Sequence, residues 1–446
     1  MSPTIMAVGQ AADFSEDTWW LWILKAVFIL LFLIMSVITA LWVERRGLGR
    51  MQTRLGPNRV GPLGFGQAFA DALKLLIKED FWLAGADKVM YFLSPVIAAA
   101  CAFTVMAVIP MGPNVSIFGH STPLQLADSP VAMLFVLAVA ALGEYGLVFG
   151  GWSSRSTLPL YGSVRSATQM ISYELALGLS LVTVFLASGT MSTSGIVEAQ
   201  AGMWNIITLF PAFCVYVVSM FGETNRLPFD LPEAEGELVA GHTTEYSSMK
   251  FAWFYLSEYV NMLNVSMIAT TVFLGGWRAG PVVTFIYSLW GGDPNVGWIP
   301  MLWFLIKVWI FMFIMVWVRA TLLRMRYDHF MKLGWKVLIP VALGWLVCVT
   351  IIQGVSTFTD ISRGTLFVGI GVVFLIAIAL IWFFGGKTTP DDDESGDSGF
   401  VRPEEEFDAM AGGFPVPPLP GQSLPPSPRA ARRDAAVSSS QEGDLV

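Results

Sequence analysis

Nine stretches in which apolar residues run almost without interruption divide the chain, with polar residues gathered between them. They cover Trp19–Val43, Met90–Met111, Pro130–Gly150, Thr168–Ala187, Met203–Phe221, Phe251–Gly276, Trp298–Val318, Trp335–Ile352 and Leu366–Gly385. Each approaches the roughly 20 residues a helix needs to cross a hydrocarbon core of about 30 Å. The pattern predicts an all-α polytopic membrane protein of about nine transmembrane helices. Lys and Arg collect in alternate loops, those beginning at Glu44, Gly151, Gly222 and Arg319, and in the tail after Gly386. The opposite loops hold Arg278 and Arg363. Because cytoplasmic loops accumulate cations, this asymmetry predicts the N-terminus outside and the C-terminus in the cytoplasm.

A different period appears between Gly64 and Asp80. Gln67, Asp71, Lys74 and Lys78 recur at helical spacing, with Phe65, Phe69, Leu73, Leu76 and Ile77 opposite. That pattern predicts a cytoplasmic amphipathic helix lying on the membrane surface. Its cations suit lipid headgroups as well as they suit a functional contact. Beyond the ninth run the periodicity stops, and DDDESGDSG, EEEFD and PVPPLPGQSLPPSPRAARRD follow. The expected organisation is a periplasmic segment over 1–18, a membrane core over 19–363, a further helix over 364–386 and a disordered acidic, Pro-rich cytoplasmic tail over 387–446.

Composition agrees with the pattern: 446 residues are 54% hydrophobic and 13% charged, with mean hydropathy +0.62, far more apolar than a soluble domain. The protein is therefore expected in the cell (inner) membrane as a multi-pass chain. The net charge of −8 resides mostly in the tail and calls for no nucleic-acid partner. Cys101, Cys214 and Cys348 each fall inside an apolar run, so no disulfide framework or iron–sulfur ligand set is visible. Asp13, Glu16 and Asp17 precede the first run without a basic leader, and no cleaved signal peptide is expected.

Within this apolar background the carboxylates stand out. Glu144, Glu174 and Glu258 sit inside the third, fourth and sixth runs, where an ionised side chain costs at least about 2.5 kcal/mol and usually serves a function. Each lies six or seven residues from the cytoplasmic end of its helix, about 10 Å deep at 1.5 Å per residue. Glu223 joins this layer at the end of the fifth run, and the loop that follows carries Asp230, Glu233, Glu235, Glu237 and Glu245 against Arg226 and Lys250. Crowded carboxylates near a low-dielectric wall disfavour each other's ionisation and can share protons. Lys307 lies deeper in the seventh run, so acid layer and lysine together suggest a proton path. Buried ion pairs that only hold helices together are the structural alternative. His242 and His329 could shuttle protons, but each reads better as an ordinary loop histidine.

Several segments now identify a resemblance: ERRGLGRMQTRLGPNRVGP, ADALKLLIKED, GEYGLVFGGWSS, RSATQMISYE, GETNRLPFDLPEAEGELVAGHTTEY and RMRYDHFMKLGWK. In order and length they resemble the family of H subunits of the proton-translocating NADH:quinone oxidoreductase, respiratory complex I, over roughly residues 19–360. The resemblance implies a membrane subunit at the junction with the peripheral arm, forming part of a quinone access tunnel and coupling quinone reduction to proton translocation. It implies that Glu44, Arg45, Arg46, Asp71, Arg165, Arg319, Arg324 and Arg326 flank the tunnel. It places Glu144, Glu174, Glu223, Asp230, Glu233, Glu235, Glu237, Glu245 and Glu258 in the chain of carboxylates, with Lys307 added from its depth.

No complete catalytic centre is expected in this chain alone, and no metal. Quinone is the implied substrate, FMN and iron–sulfur clusters would belong to partner subunits, and the partners would be other membrane-arm subunits and the soluble quinone-site subunits. Leu323 stands where the family usually has proline, and His329 where glutamine is usual. Two rivals remain: the homologous membrane subunit of a membrane-bound hydrogenase or other-donor oxidoreductase, and, from another class, a secondary transporter. The latter would show internal repeats and matching helix breaks, which the sequence lacks.

Overall fold

The structure is a computed structural model that describes residues 12–231, 238–280, 283–284, 287 and 294–358. These belong to one unit, Met1–Leu375, and a second unit, Ile376–Val446, lies outside the described residues. So do Glu233, Glu235 and Glu237, the ninth apolar run and the tail. The elements are α1 (Trp19–Met51), α2 (Gln67–Ile77), α3 (Lys88–Val105), β1 (Asn114–Ile117), β2 (His120–Pro123), α4 (Ala132–Ser153), α5 (Thr157–Ser188) and α6 (Thr193–Ala199). They continue with α7 (Asn205–Thr208), α8 (Phe210–Glu223), α9 (Ser248–Phe273), α10 (Ile299–Thr321), α11 (Tyr327–Leu333) and α12 (Ile339–Phe358).

Among the described residues, six helices are long and apolar enough to cross a membrane: Trp19–Met51, Lys88–Val108, Ala132–Ser153, Thr157–Ser188, Ile299–Thr321 and Tyr327–Val355. The outer faces of α1 and α10 expose large apolar side chains such as Trp22, Ile23, Leu31, Ile306 and Phe313, a surface that water would not tolerate but lipid covers. α9 has 26 residues, yet Glu258, Asn261, Asn264 and several hydroxyls make it too polar for the same measure. It is instead the central helix, and from Tyr259 to Phe273 almost all of its residues are buried.

The fifth run, expected as one span over Met203–Phe221, is broken. α7 stops at Thr208, Leu209 leaves helical geometry, and α8 restarts with Pro211 near its first turn, where a missing N–H costs nothing. The Asn205 amide donates to the Val272 carbonyl at 2.9 Å, which ties the break to the end of α9. The 14 residues of α8 span about 21 Å, short of the hydrocarbon core. The eighth run starts earlier than its apolar pattern suggests: α11 passes through a π-type turn at Gly334–Leu338 into α12. The departure at Leu323 falls where α10 has already ended at Thr321, in extended chain with that side chain exposed.

Small residues set the helix spacing. A Cβ on Gly146 would stand 2.9 Å from the Ala98 Cβ and the Ser94 carbonyl, and the Ser94 hydroxyl donates to the Gly146 carbonyl at 2.6 Å. α3 and α4 therefore meet backbone to backbone, as small residues allow in membrane bundles. On the other side of the bundle Tyr173 of α5 stacks on Phe330 with centroids 4.2 Å apart and donates to the Phe330 carbonyl. Its ring leaves no room for a side chain at Gly222. The hairpin of β1 and β2 turns through Phe118 and Gly119, both at positive φ, as a two-residue hairpin turn requires. This small sheet is an addition to the expected all-helical architecture. Asp17 joins it to α1 by accepting from Thr122 and from Lys25, the latter at 2.6 Å.

Candidate functional site

The segment after α8 folds back against the ends of α1, α9 and α10 and brings charge into the protein. Glu44, late in α1, is buried and is reached from three directions. The Tyr259 hydroxyl donates to its Oε2 at 2.6 Å. Arg226 Nη1 donates to its Oε1 at 3.4 Å, and Arg319 from the end of α10 pairs with the same oxygen. Arg226 is itself buried. Its Nε stands 2.9 Å from Glu258 Oε1, and its guanidinium lies over the Tyr259 ring at 4.4 Å. Burial opposes the charge on Arg226, but Glu258, Tyr259 and Glu44 more than offset this and hold its pKa above the ordinary range. The Tyr255 and Tyr259 hydroxyls are 3.2 Å apart and extend the network along α9.

Beside this cluster lies a polar cavity lined by Glu144, Glu223, His242, Glu258, Asn261 and neighbouring side chains. About 50 Å³ of it is open to the centres of water molecules, several times the space that one water needs. One oxygen each of Glu144 and Glu223 is buried without a hydrogen-bond partner in the protein, so the cavity offers acceptors that water would satisfy. A second, smaller cavity is lined by Leu177, Leu181, Tyr216 and Asn264, and it shares Glu144, Glu223 and Asn261 with the first. His242 is fully buried against the first cavity, with its Nδ1 unpartnered, and burial pulls its pKa from the ordinary 6.5 down to about 4. Gly162 of α5 makes this burial possible: a Cβ there would stand 2.7 Å from the Gly241 Cα.

The structure thus joins Glu144, Glu223 and Glu258 at one cavity, and joins Glu258 through Arg226 to Glu44 and Arg319. Glu174 does not line the cavity but stands within electrostatic reach of Glu223. Asp230 lies on the same loop, half-buried. Glu245, half-buried, does not line the cavity, and its backbone carbonyl accepts from the Tyr91 hydroxyl at 2.6 Å. Lys307 is not brought to the carboxylates. Its ammonium donates to the carbonyls of Leu274, Gly276 and Arg278 at 2.7, 2.9 and 2.6 Å and sits 4.4 Å from the Trp204 ring.

On the surface side, Arg45 pairs with Asp71 of α2, and Gln67 steadies the same carboxylate at 3.2 Å. Arg46 donates to the Leu63 carbonyl at 2.8 Å and lies over Trp42. Arg165 is half-buried on α5, Arg324 follows α10, and Arg326 pairs with Asp328 in the open. Arg45, Arg46 and Asp71 therefore form one group at the α1–α2 junction, and Arg319 belongs to the buried cluster.

Sequence reasoning did not place Arg226, Tyr259 or Asn261 in the site, and it favoured an ordinary loop histidine at His242. Arg226 had a usable signal, as the cation set within a run of carboxylates. Asn261 follows Glu258 by three positions and so shares its helix face. The burial of His242 had no signal, because it depends on the backbone approach at Gly162 from a distant helix.

The family model described as NADH dehydrogenase matches residues 24–350 of this chain. The chain is 52% identical over 441 residues to the H subunit of the NADH-quinone oxidoreductase of Streptomyces avermitilis, an alignment covering 96% of this chain and 94% of that relative.

Proposed function

This chain belongs to the NADH dehydrogenase family of membrane subunits, and on that premise we propose that it lines a quinone path and passes the energy of quinone reduction to protons through buried carboxylates. It is a membrane subunit of an NADH-quinone oxidoreductase, and it works with the other subunits of that complex. The flavin and iron–sulfur clusters would lie in those partners. Nine crossings with the N-terminus outside fit the cation pattern if α7 and α8 together make the fifth, with 364–386 as the ninth helix and 387–446 as the cytoplasmic tail.

The observation that carries the proposal is the shared wall of the two cavities. Glu144 and Glu223 face both, and Glu258 links the first of them to Arg226, Glu44 and Arg319. A carboxylate in a half-dry cavity changes its protonation when a nearby charge or hydration changes. Arg45, Arg46, Asp71 and Arg165, with Arg319, Arg324 and Arg326, would form the quinone side. There they can contact a polar quinone head, while the exposed apolar face of α2 meets lipid. Glu144, Glu174, Glu223, Asp230, Glu245 and Glu258, with Glu233, Glu235 and Glu237 of the same loop, would form the proton side. The three carbonyl contacts of Lys307 support a capping role for it in place of a relay.

Glu223→Gln tests the assignment in the assembled complex. Electron transfer from NADH to an artificial acceptor at the flavin should persist, while quinone-linked turnover and proton pumping fall. Unchanged pumping removes Glu223 from the route.

A further inference from the structure

Lys250 occupies the first turn of α9, where the helix dipole disfavours a cation. Its side chain is nonetheless buried. The ammonium stands 3.0 Å from Asp80 Oδ1 and lies over the Trp82 ring at 3.6 Å and the Tyr91 ring at 5.0 Å. Asp80 and Trp82 belong to the chain that leaves α2, so the cage joins the surface helix to the start of α9. Two further bonds close the same seam. Ser248 donates to the Leu75 carbonyl at 3.0 Å, near the end of α2, and Ser247 donates to the Glu79 carbonyl at 3.3 Å. The first satisfies a carbonyl that the end of α2 otherwise leaves open, and the second ties down the chain just beyond it.

From the cage a series of packed rings leads inward. Tyr91 stacks on Tyr246 at 4.2 Å, Tyr246 meets Phe254 edge-on at 4.9 Å, and Phe254 meets His242 at 5.3 Å. His242 and Phe254 are walls of the acid-lined cavity. In its N-terminal half α2 holds Asp71 against Arg45. The surface helix is thus pinned near its start to Arg45 and beyond its end, through Lys250, to the rings that lead to the cavity wall.

Resting on the function assigned above, we propose that Lys250 is a positioning residue that keeps the quinone-side helix in register with the carboxylate cavity. It touches neither quinone nor the carboxylates of the cavity, and it acts through the caged contact. Close aromatic and carboxylate contacts of a desolvated ammonium are strong enough that losing them shifts an equilibrium by roughly threefold to thirtyfold.

The test uses the whole complex in proteoliposomes with a short-chain quinone. K250M should raise the KM for quinone by about fivefold and lower the protons moved per electron, while NADH oxidation by an artificial acceptor holds. K250R should restore both within about twofold, because its guanidinium also stacks on rings and pairs with Asp80. Unchanged KM and proton ratio in assembled K250M overturn the proposal, as does a K250R no better than K250M. If K250M fails to assemble, W82L opens the cage from its solvent side, and an unchanged KM there is equally fatal. E223Q is run alongside: if E223Q uncouples and K250M does not, only the positioning role fails, whereas silence in both sinks the function it rests on.

Discussion

Glu44 and Arg226 stand 3.4 Å apart although 182 positions separate them in the chain, and both are buried. Their pairing closes the loop after α8 onto the end of α1, and Glu258 occupies the other side of the same guanidinium. Removing the cation would leave two carboxylates without their shared partner. Arg226→Met should therefore destabilise the folded subunit by about 3–5 kcal/mol, read as loss of assembled complex and a lower melting temperature in detergent. Arg226→Lys should recover part of this, because it keeps the charge but loses the planar fork.

Arg46 lies at the α1–α2 junction, bonded to the Leu63 carbonyl and covering Trp42. Arg46→Phe should weaken quinone-site inhibitors by about tenfold or more, the worth of a lost charged hydrogen bond. Dose–response curves of NADH:quinone activity measure this directly. Unaltered inhibition would place the arginine outside the quinone path.

His242 gives the folded protein a dependence on pH whose sign is determined. Its pKa is near 4 when folded and 6.5 when exposed, so between these values the unfolded chain binds more protons. Stability from this group is complete above about pH 6.5 and is lost as pH falls through about 4, up to about 3 kcal/mol in total. Thermal unfolding between pH 4 and 7 should show a flatter slope for His242→Gln than for the parent protein.

Lys307 satisfies three carbonyls in the turn just beyond the end of α9, and its charge complements the negative end of that helix dipole. Lys307→Met should cost about 3 kcal/mol of stability and leave the protons moved per electron unchanged in the complex that still assembles. A lowered ratio in well-assembled enzyme would return this lysine to the proton route.

Much of this architecture was legible in the chain, and the exceptions share a cause. Long apolar runs announced α1, α3, α4, α5 and α10, because a helix facing lipid must be apolar over its whole length. α9 was also found, but its central burial was not, since hydropathy cannot distinguish a helix wrapped by protein from one wrapped by lipid. The break at Leu209 escaped for a related reason: apolar residues continue through it, and the amide of Asn205 fixes the bend from a different helix. At the site, depth counting put Glu144, Glu174, Glu223 and Glu258 in one layer, and three of them, Glu144, Glu223 and Glu258, line one cavity, because equal distance from helix ends translates into similar height in a bundle. It placed Glu174 at the same height but could not tell which way its side chain faces. Lys307 lay at the right depth for a relay, yet its partners are carbonyls released where α9 ends, and no periodicity marks those.

The wall between the two cavities is made of Glu144, Glu223 and Asn261. A septum built from two acids and an amide changes character with its charge. With both acids neutral it would pack as a dry bulkhead, and with one ionised it would draw water from either chamber. If the proposed proton route runs here, passage would be metered at this bulkhead and not at either mouth, and a single proton arriving on one glutamate would set when the two chambers communicate.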